Sequence, residues 1–185
     1  MKRLLALGLA VLLAACQEEE AKAPPPQPMT AQTIGYFCQM NVVEHGGPKG
    51  QIALEGFPGG AVFFSQVSDT VAYLRMPEQN YKILATYVTD MGTTPNWDEP
   101  GKAEWIAIDK ALFVVGSDQA GGMGQPEYVP FSDPQKAAAF AAAHGGNVMT
   151  LADIPLPQTG DPVVDPGEDS DFLTRLRNQT QKGGE

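Results

Sequence analysis

Phe37-Cys38-Gln39-Met40 sets a thiol two residues from a thioether. Thiolate and thioether sulfurs are soft donors that select Cu(I), whereas a hard ion such as Mg²⁺ or Ca²⁺ asks for oxygens. If Thr33 to Met40 is extended, residues two apart share a face at a Cα spacing of about 6.6 Å, and both sulfurs reach one ion between them. The competing reading is packing: cysteine as a small hydrophobe, methionine as a filler of core gaps. The other cysteine weighs between them. Cys16 ends an export leader, which leaves Cys38 with no intramolecular disulfide partner in an oxidising compartment.

Further donors are few. Met123 stands among Gly121, Gly122 and Gly124, where the backbone is free to approach closely and present the thioether to an ion; a methionine plugging a surface gap is the alternative. His45, in the polar run Glu44 to Lys49, is near enough in sequence to reach the same ion, and imidazole suits copper; a solvated loop histidine is the alternative. Met91 follows Asp90 at a strand end and is a weaker thioether candidate. His144 ends an alanine-rich helix, where a protonated ring complements the dipole, and reads as structural. HExxH, CxxC, P-loop and GxSxG motifs are absent from the sequence, so zincin, thioredoxin-like, nucleotide-binding and α/β-hydrolase readings lack their usual motif.

The ends of the chain carry the export signal and the spacers. Lys2 and Arg3 precede the apolar run Leu4 to Leu13, which is too short to span a bilayer. Leu13-Ala14-Ala15-Cys16 then resembles a bacterial lipobox, which implies a signal peptide over 1–15 and acylation at Cys16. Gln17 after the cysteine points, by enterobacterial sorting rules, to the outer membrane. Residues 16–33 read as a flexible tether, with Glu18-Glu19-Glu20 and Pro24-Pro25-Pro26 leaving nothing to bury. Residues 155–185 read as a disordered acidic tail; over Asp169 to Gln181 a frayed terminus is the first reading and a short docking helix capped by Ser170 the alternative. Loss of Lys2 and Arg3 with the leader takes the 12 basic residues to ten against 22 acidic ones. That balance argues against nucleic acid as a partner.

Between the spacers, short strands alternate with turns and two helices, an α+β pattern. Strands are expected over Gln51–Glu55, Ala61–Phe64 and Tyr81–Thr89, with a helix over Asp69–Arg75 capped by Ser68. A second series follows: strands over Glu104–Asp109 and Ala111–Gly116, the glycine loop, a helix opened by Asp133-Pro134 and closed by Gly145-Gly146, and a strand over Val148–Leu151. Phe64-Ser65 and Phe131-Ser132 each lead into a helix. The chain therefore reads as two similar ββαβ units, 34–92 and 93–154, each too small to bury its own core and so packed together.

Cys38 to Ile52, with Glu44-His45-Gly46-Gly47-Pro48-Lys49-Gly50-Gln51-Ile52 behind the Cys-X-Met, resembles the NosL family of copper-chaperone lipoproteins. Phe63-Phe64, Tyr87-Val88-Thr89-Asp90, Gly121 to Gly124 and His144-Gly145-Gly146 extend the resemblance to about Ile154. Gln39 departs from it, since glycine is more usual there; Asp90-Met91 departs too, in place of an aromatic residue. The resemblance implies a periplasm-facing, membrane-anchored protein that binds Cu(I) and hands it to the maturation machinery of nitrous oxide reductase. It also implies a layout related to organomercurial lyase. That enzyme reading lacks its second thiol, and a scaffold lipoprotein with no metal is the other alternative.

Overall fold

A computed structural model describes residues 23–94 and 96–155 of the 185-residue chain. The leader, the lipobox, tether residues 16–22 and the tail from 156 onward lie outside the described residues. No helix among the described residues is long and apolar enough to cross a membrane.

Among the described residues, two sheets and two helices make the fold. The first sheet holds β1 (Gly50–Leu54), β2 (Ala61–Phe64), β3 (Ile83–Thr89) and β4 (Trp105–Ala107), in the order β2-β1-β3-β4. The second holds β5 (Leu112–Ala120), β6 (Pro126–Phe131) and β7 (Asn147–Thr150), in the order β6-β5-β7. Helix α1 (Val67–Leu74) follows β2, and α2 (Pro134–His144) follows β6. The strand order β2-β1-β3 with α1 thus recurs as β6-β5-β7 with α2, which is the expected pair of ββαβ units. All neighbouring strands are antiparallel.

The membership of the second unit differs from expectation. Trp105–Ala107 does not open it but pairs with β3, Val88 facing Ile106, and widens the first sheet. A boundary at 92/93 therefore falls before a strand of the first sheet. The second hairpin is instead β5 with β6, and β6 occupies the stretch between the glycine loop and α2, to which the sequence assigns no strand. Pro126 and Pro130 hide it in the sequence, because a proline cannot donate to a ladder; β6 tolerates both because it is an edge strand.

Helix α1 begins at Val67, two residues earlier than expected, and its N-cap Gln66 makes no side-chain capping bond. The cap comes from the other unit: the Glu127 carboxylate accepts from Val67 N at 3.1 Å and Ser68 N at 2.9 Å. Helix termini leave such N–H groups without internal partners, and here one carboxylate satisfies two of them while tying α1 to β6. Helix α2 follows its sequence signals, with Asp133 Oδ1 accepting from Gln135 N at 2.7 Å and Gly145 at φ 74° ending it.

Each unit has its own core. Ile52, Leu54, Val62, Phe64 and Tyr73 cluster in the first; Val114, Val129, Phe131 and Ala137 cluster in the second. The alternation over β1 suggests one wet face, yet all five residues are buried. The tether accounts for this. Gln27 N donates to Gln51 Oε1 at 2.7 Å and Gln51 Nε2 donates to Gln27 O at 2.9 Å, while Tyr87 Oη donates to Pro24 O at 2.6 Å. Residues 24–27 are thus a strap held to the sheet, not a free tether, because an almost fully buried Gln51 needs amide partners and the proline-rich backbone supplies them.

Candidate metal centre

Cys38 lies in a tight turn and not in an extended segment. Ile34 and Asn41 form an antiparallel bridge. Inside it, Gly35 N donates to Met40 O at 2.8 Å and Gln39 N donates to Gly35 O at 2.9 Å. Same-face geometry for Cys38 and Met40 therefore does not arise from strand pleating. Cys38 is partly buried, whereas Met40 is 41 % exposed. The six residues between Ile34 and Asn41 reverse the chain, so the two sulfur residues are placed by turn geometry.

Aromatic packing fixes that turn to the core. Tyr36 and Phe37 both meet Phe64 and Tyr73, with ring centroids 5.3–6.3 Å apart. Such contacts contribute about 0.5–1.5 kcal/mol per pair beyond burial. Tyr36 N also donates to Phe63 O at 2.7 Å, so the turn adds to the free edge of β2. The result sets Cys38 Sγ 3.0 Å from Ser65 Oγ, at the junction of β2 and α1. A β-carbon at Gly35 would overlap the Cys38 sulfur and displace it from this position, so the glycine keeps the space that the thiol occupies.

The next two candidates converge on the same junction. Gln66 Oε1 accepts from Met123 N at 3.0 Å, which holds the glycine loop against the start of α1. At Gly122 a β-carbon would stand 2.7 Å from His45 Cβ and 3.0 Å from Ser65 O. The backbone at 122 thus fits between His45 and Ser65 only because it carries no side chain. Met123 itself is 37 % exposed. Ser65-Gln66 is therefore a common anchor for three segments, those bearing Cys38 with Met40, His45, and Met123.

Met91 goes elsewhere. It packs on the core cluster of the second sheet, as Trp97 and Phe140 do, and its N–H donates to Pro130 O at 2.9 Å. His144 ends α2 with Nδ1 3.0 Å from Asp118 Oδ1 and its ring 4.5 Å from that of Phe140, which is the structural placement expected of it.

Sequence reasoning passed over the polar groups beneath the site. Lys49 is fully buried, and its Nζ donates to Gly46 O, Gly47 O and Ser65 O at 2.7, 2.8 and 3.0 Å. One ammonium thereby ties the His45 loop to Ser65. Burial lowers its pKa to about 8, against the opposing pull of Glu127 and Cys38. Glu127 is buried as well, and burial raises its pKa to about 8, opposed by its backbone N–H donors and by Lys49. A lysine directly after Gly46-Gly47-Pro48 was the available signal, since a loop so poor in side chains leaves carbonyls that need a donor.

Soft sulfur donors and an imidazole carried on segments that meet at one junction of an α+β scaffold are the donor set that a soft metal ion asks for. Among the described residues no three Cys, His, Asp or Glu side chains form a metal-holding group. The NosL family model matches residues 26–158, and the chain belongs to that family. It is 53 % identical over 182 residues to the copper-binding lipoprotein NosL of Achromobacter cycloclastes, covering 94 % of this chain and 92 % of that one. It is 31 % identical over 153 residues to the copper-binding lipoprotein NosL of Stutzerimonas stutzeri, covering 82 % and 78 %. The crystal structure of the copper chaperone NosL from Shewanella denitrificans is similar at a TM-score of 0.64 and 31 % identity, covering 71 % of this chain and 97 % of that one.

Proposed function

We propose that the chain binds Cu(I) as cargo through Cys38 and Met40, with Met123 or His45 closing the site, and delivers it for maturation of nitrous oxide reductase. The carrying observation is the convergence of the Cys38, His45 and Met123 segments on Ser65-Gln66. A thiolate neutralises the charge of the ion, and thioethers add neutral soft donors. Exposed Met40 and Met123 leave the ion open to attack. A donor from the acceptor protein bonds first, and the chaperone's sulfurs leave afterwards. The chain works by ligand exchange and not by catalysis. Acylation at Cys16 would hold it at a periplasm-facing membrane, the outer one by the Gln17 signal.

Anaerobic titration of the mature protein with Cu(I), in competition with a chromophoric chelator, tests the site. Tight equimolar binding is expected for the native chain and its loss for Cys38→Ser with Met40→Leu. Unchanged stoichiometric binding in that double variant would overturn the site, and absence of Cu(I) binding in the native chain would leave the scaffold lipoprotein with no metal. Delivery is tested by copper content of nitrous oxide reductase in cells lacking the chain.

A further inference from the structure

Gln39 separates the two sulfur residues, and no donor role falls to it. Its φ is 55°, the only positive φ on a non-glycine residue among those described. There its N–H closes the turn onto Gly35 O at 2.9 Å, the bond of a left-handed terminator, where glycine is the usual resident. A β-carbon in this conformation crowds the following carbonyl. A glutamine that stays there must be held. The holding contact is its own side chain: Nε2 donates to Tyr36 O at 2.7 Å and reaches Gly35 O at 3.5 Å. Gly35 N to Met40 O, at 2.8 Å, closes the turn from the opposite side. A glycine would adopt the same backbone with less crowding, but it would leave Tyr36 O without this donor and the turn free to open.

We propose that Gln39 is a positioning residue, a side-chain clamp that fixes Cys38 relative to Met40 before the ion arrives and whose release limits the ion's departure. The inference rests on the reading of Cys38 and Met40 as Cu(I) ligands. A clamped turn spends no binding energy on ordering the ligands, so loss of the clamp appears as weaker binding and faster exit. Gln39→Gly separates the clamp from the fold, because it also relieves the left-handed crowding.

The expected result for Gln39→Gly is Cu(I) transfer to a chelator accelerated by about tenfold, in line with loss of preorganisation, with a urea midpoint no lower than that of the native chain. In the copper-free protein, the amide protons of Gly35 and Gln39, which close the turn onto Met40 O and Gly35 O, should exchange faster. Gln39→Asn tolerates the backbone but is one methylene short of Tyr36 O, and should behave like glycine. Native transfer rates together with native amide protection in both variants would overturn the clamp while leaving the copper site intact. A native chain that binds no Cu(I) at Cys38 would instead overturn the site, and faster amide exchange in Gln39→Gly would still report the clamp.

Discussion

The hydroxyl of Ser65 lies 3.0 Å from the sulfur of Cys38. Ser132 holds the repeat-related position at the junction of β6 and α2, and its Oγ donates to the carboxylate of Asp90. The same Phe-Ser step thus brings a hydroxyl to a thiol at the start of α1 and to the buried carboxylate of Asp90 at the start of α2. The first stands at the junction that the His45 and Met123 segments also reach, whereas the thioether beside the second, Met91, packs on a core cluster. Ser65→Ala should therefore weaken Cu(I) binding roughly fivefold, the equivalent of about 1 kcal/mol for one hydrogen bond. Competition titration reads the change. Native affinity in this variant would show that the hydroxyl does not orient the thiolate.

Met123 and Met91 separate the two thioether candidates. Met123→Leu should lower Cu(I) affinity, whereas Met91→Leu, a near-isosteric swap on a core cluster, should leave it unchanged and alter stability by less than about 1.5 kcal/mol. The two titrations run side by side decide which methionine belongs to the site.

Gly122→Ala should damage the site without touching a ligand. The added methyl meets His45 Cβ at 2.7 Å and Ser65 O at 3.0 Å, so the glycine loop must lift away from the junction. A stability loss of about 1–3 kcal/mol by urea unfolding is expected for such overpacking, together with weaker copper binding.

Glu127 predicts a pH dependence of stability. Its pKa in the folded chain is raised from 4.5 to about 8. Below the unfolded value both states are protonated and no penalty exists. As pH rises towards 8 the unfolded chain ionises first, so stability falls, on the order of a few kcal/mol. Lys49, lowered to about 8, works in the opposite sense only above that pH, where the folded chain loses its proton first. The urea midpoint should drop between pH 5 and 8, and Glu127→Gln should flatten that drop. A pH-independent midpoint in the native chain would rule the effect out.

Gln51→Leu should free the strap. It removes both amide bonds to Gln27 and leaves that backbone in need of water. Unfolding should become easier by about 1–3 kcal/mol, and proteolysis within residues 23–30 should accelerate. Equal resistance in both proteins would show that the strap is held by other contacts.

By itself the sequence determined what is written in short-range chemistry. The soft donors are named by residue type. Helix α2 is bounded by Asp133-Pro134 and Gly145-Gly146, and the two ββαβ units show in the order of strand and helix signals. Other features depend on groups distant along the chain. The cap of α1 comes from Glu127, some sixty residues away, so the first turn offers no local sign of it. Strand β6 contains two prolines, and only its edge position in the sheet makes them acceptable. Gln51 reads as a solvent-facing residue until the proline strap covers it. The site follows the same division: Cys38, Met40, His45 and Met123 are legible as donors, but Ser65, Gln66 and Lys49 carry no soft-metal chemistry of their own. They matter because burial obliges their polar groups to find partners, and the partners they find are the segments that hold the donors.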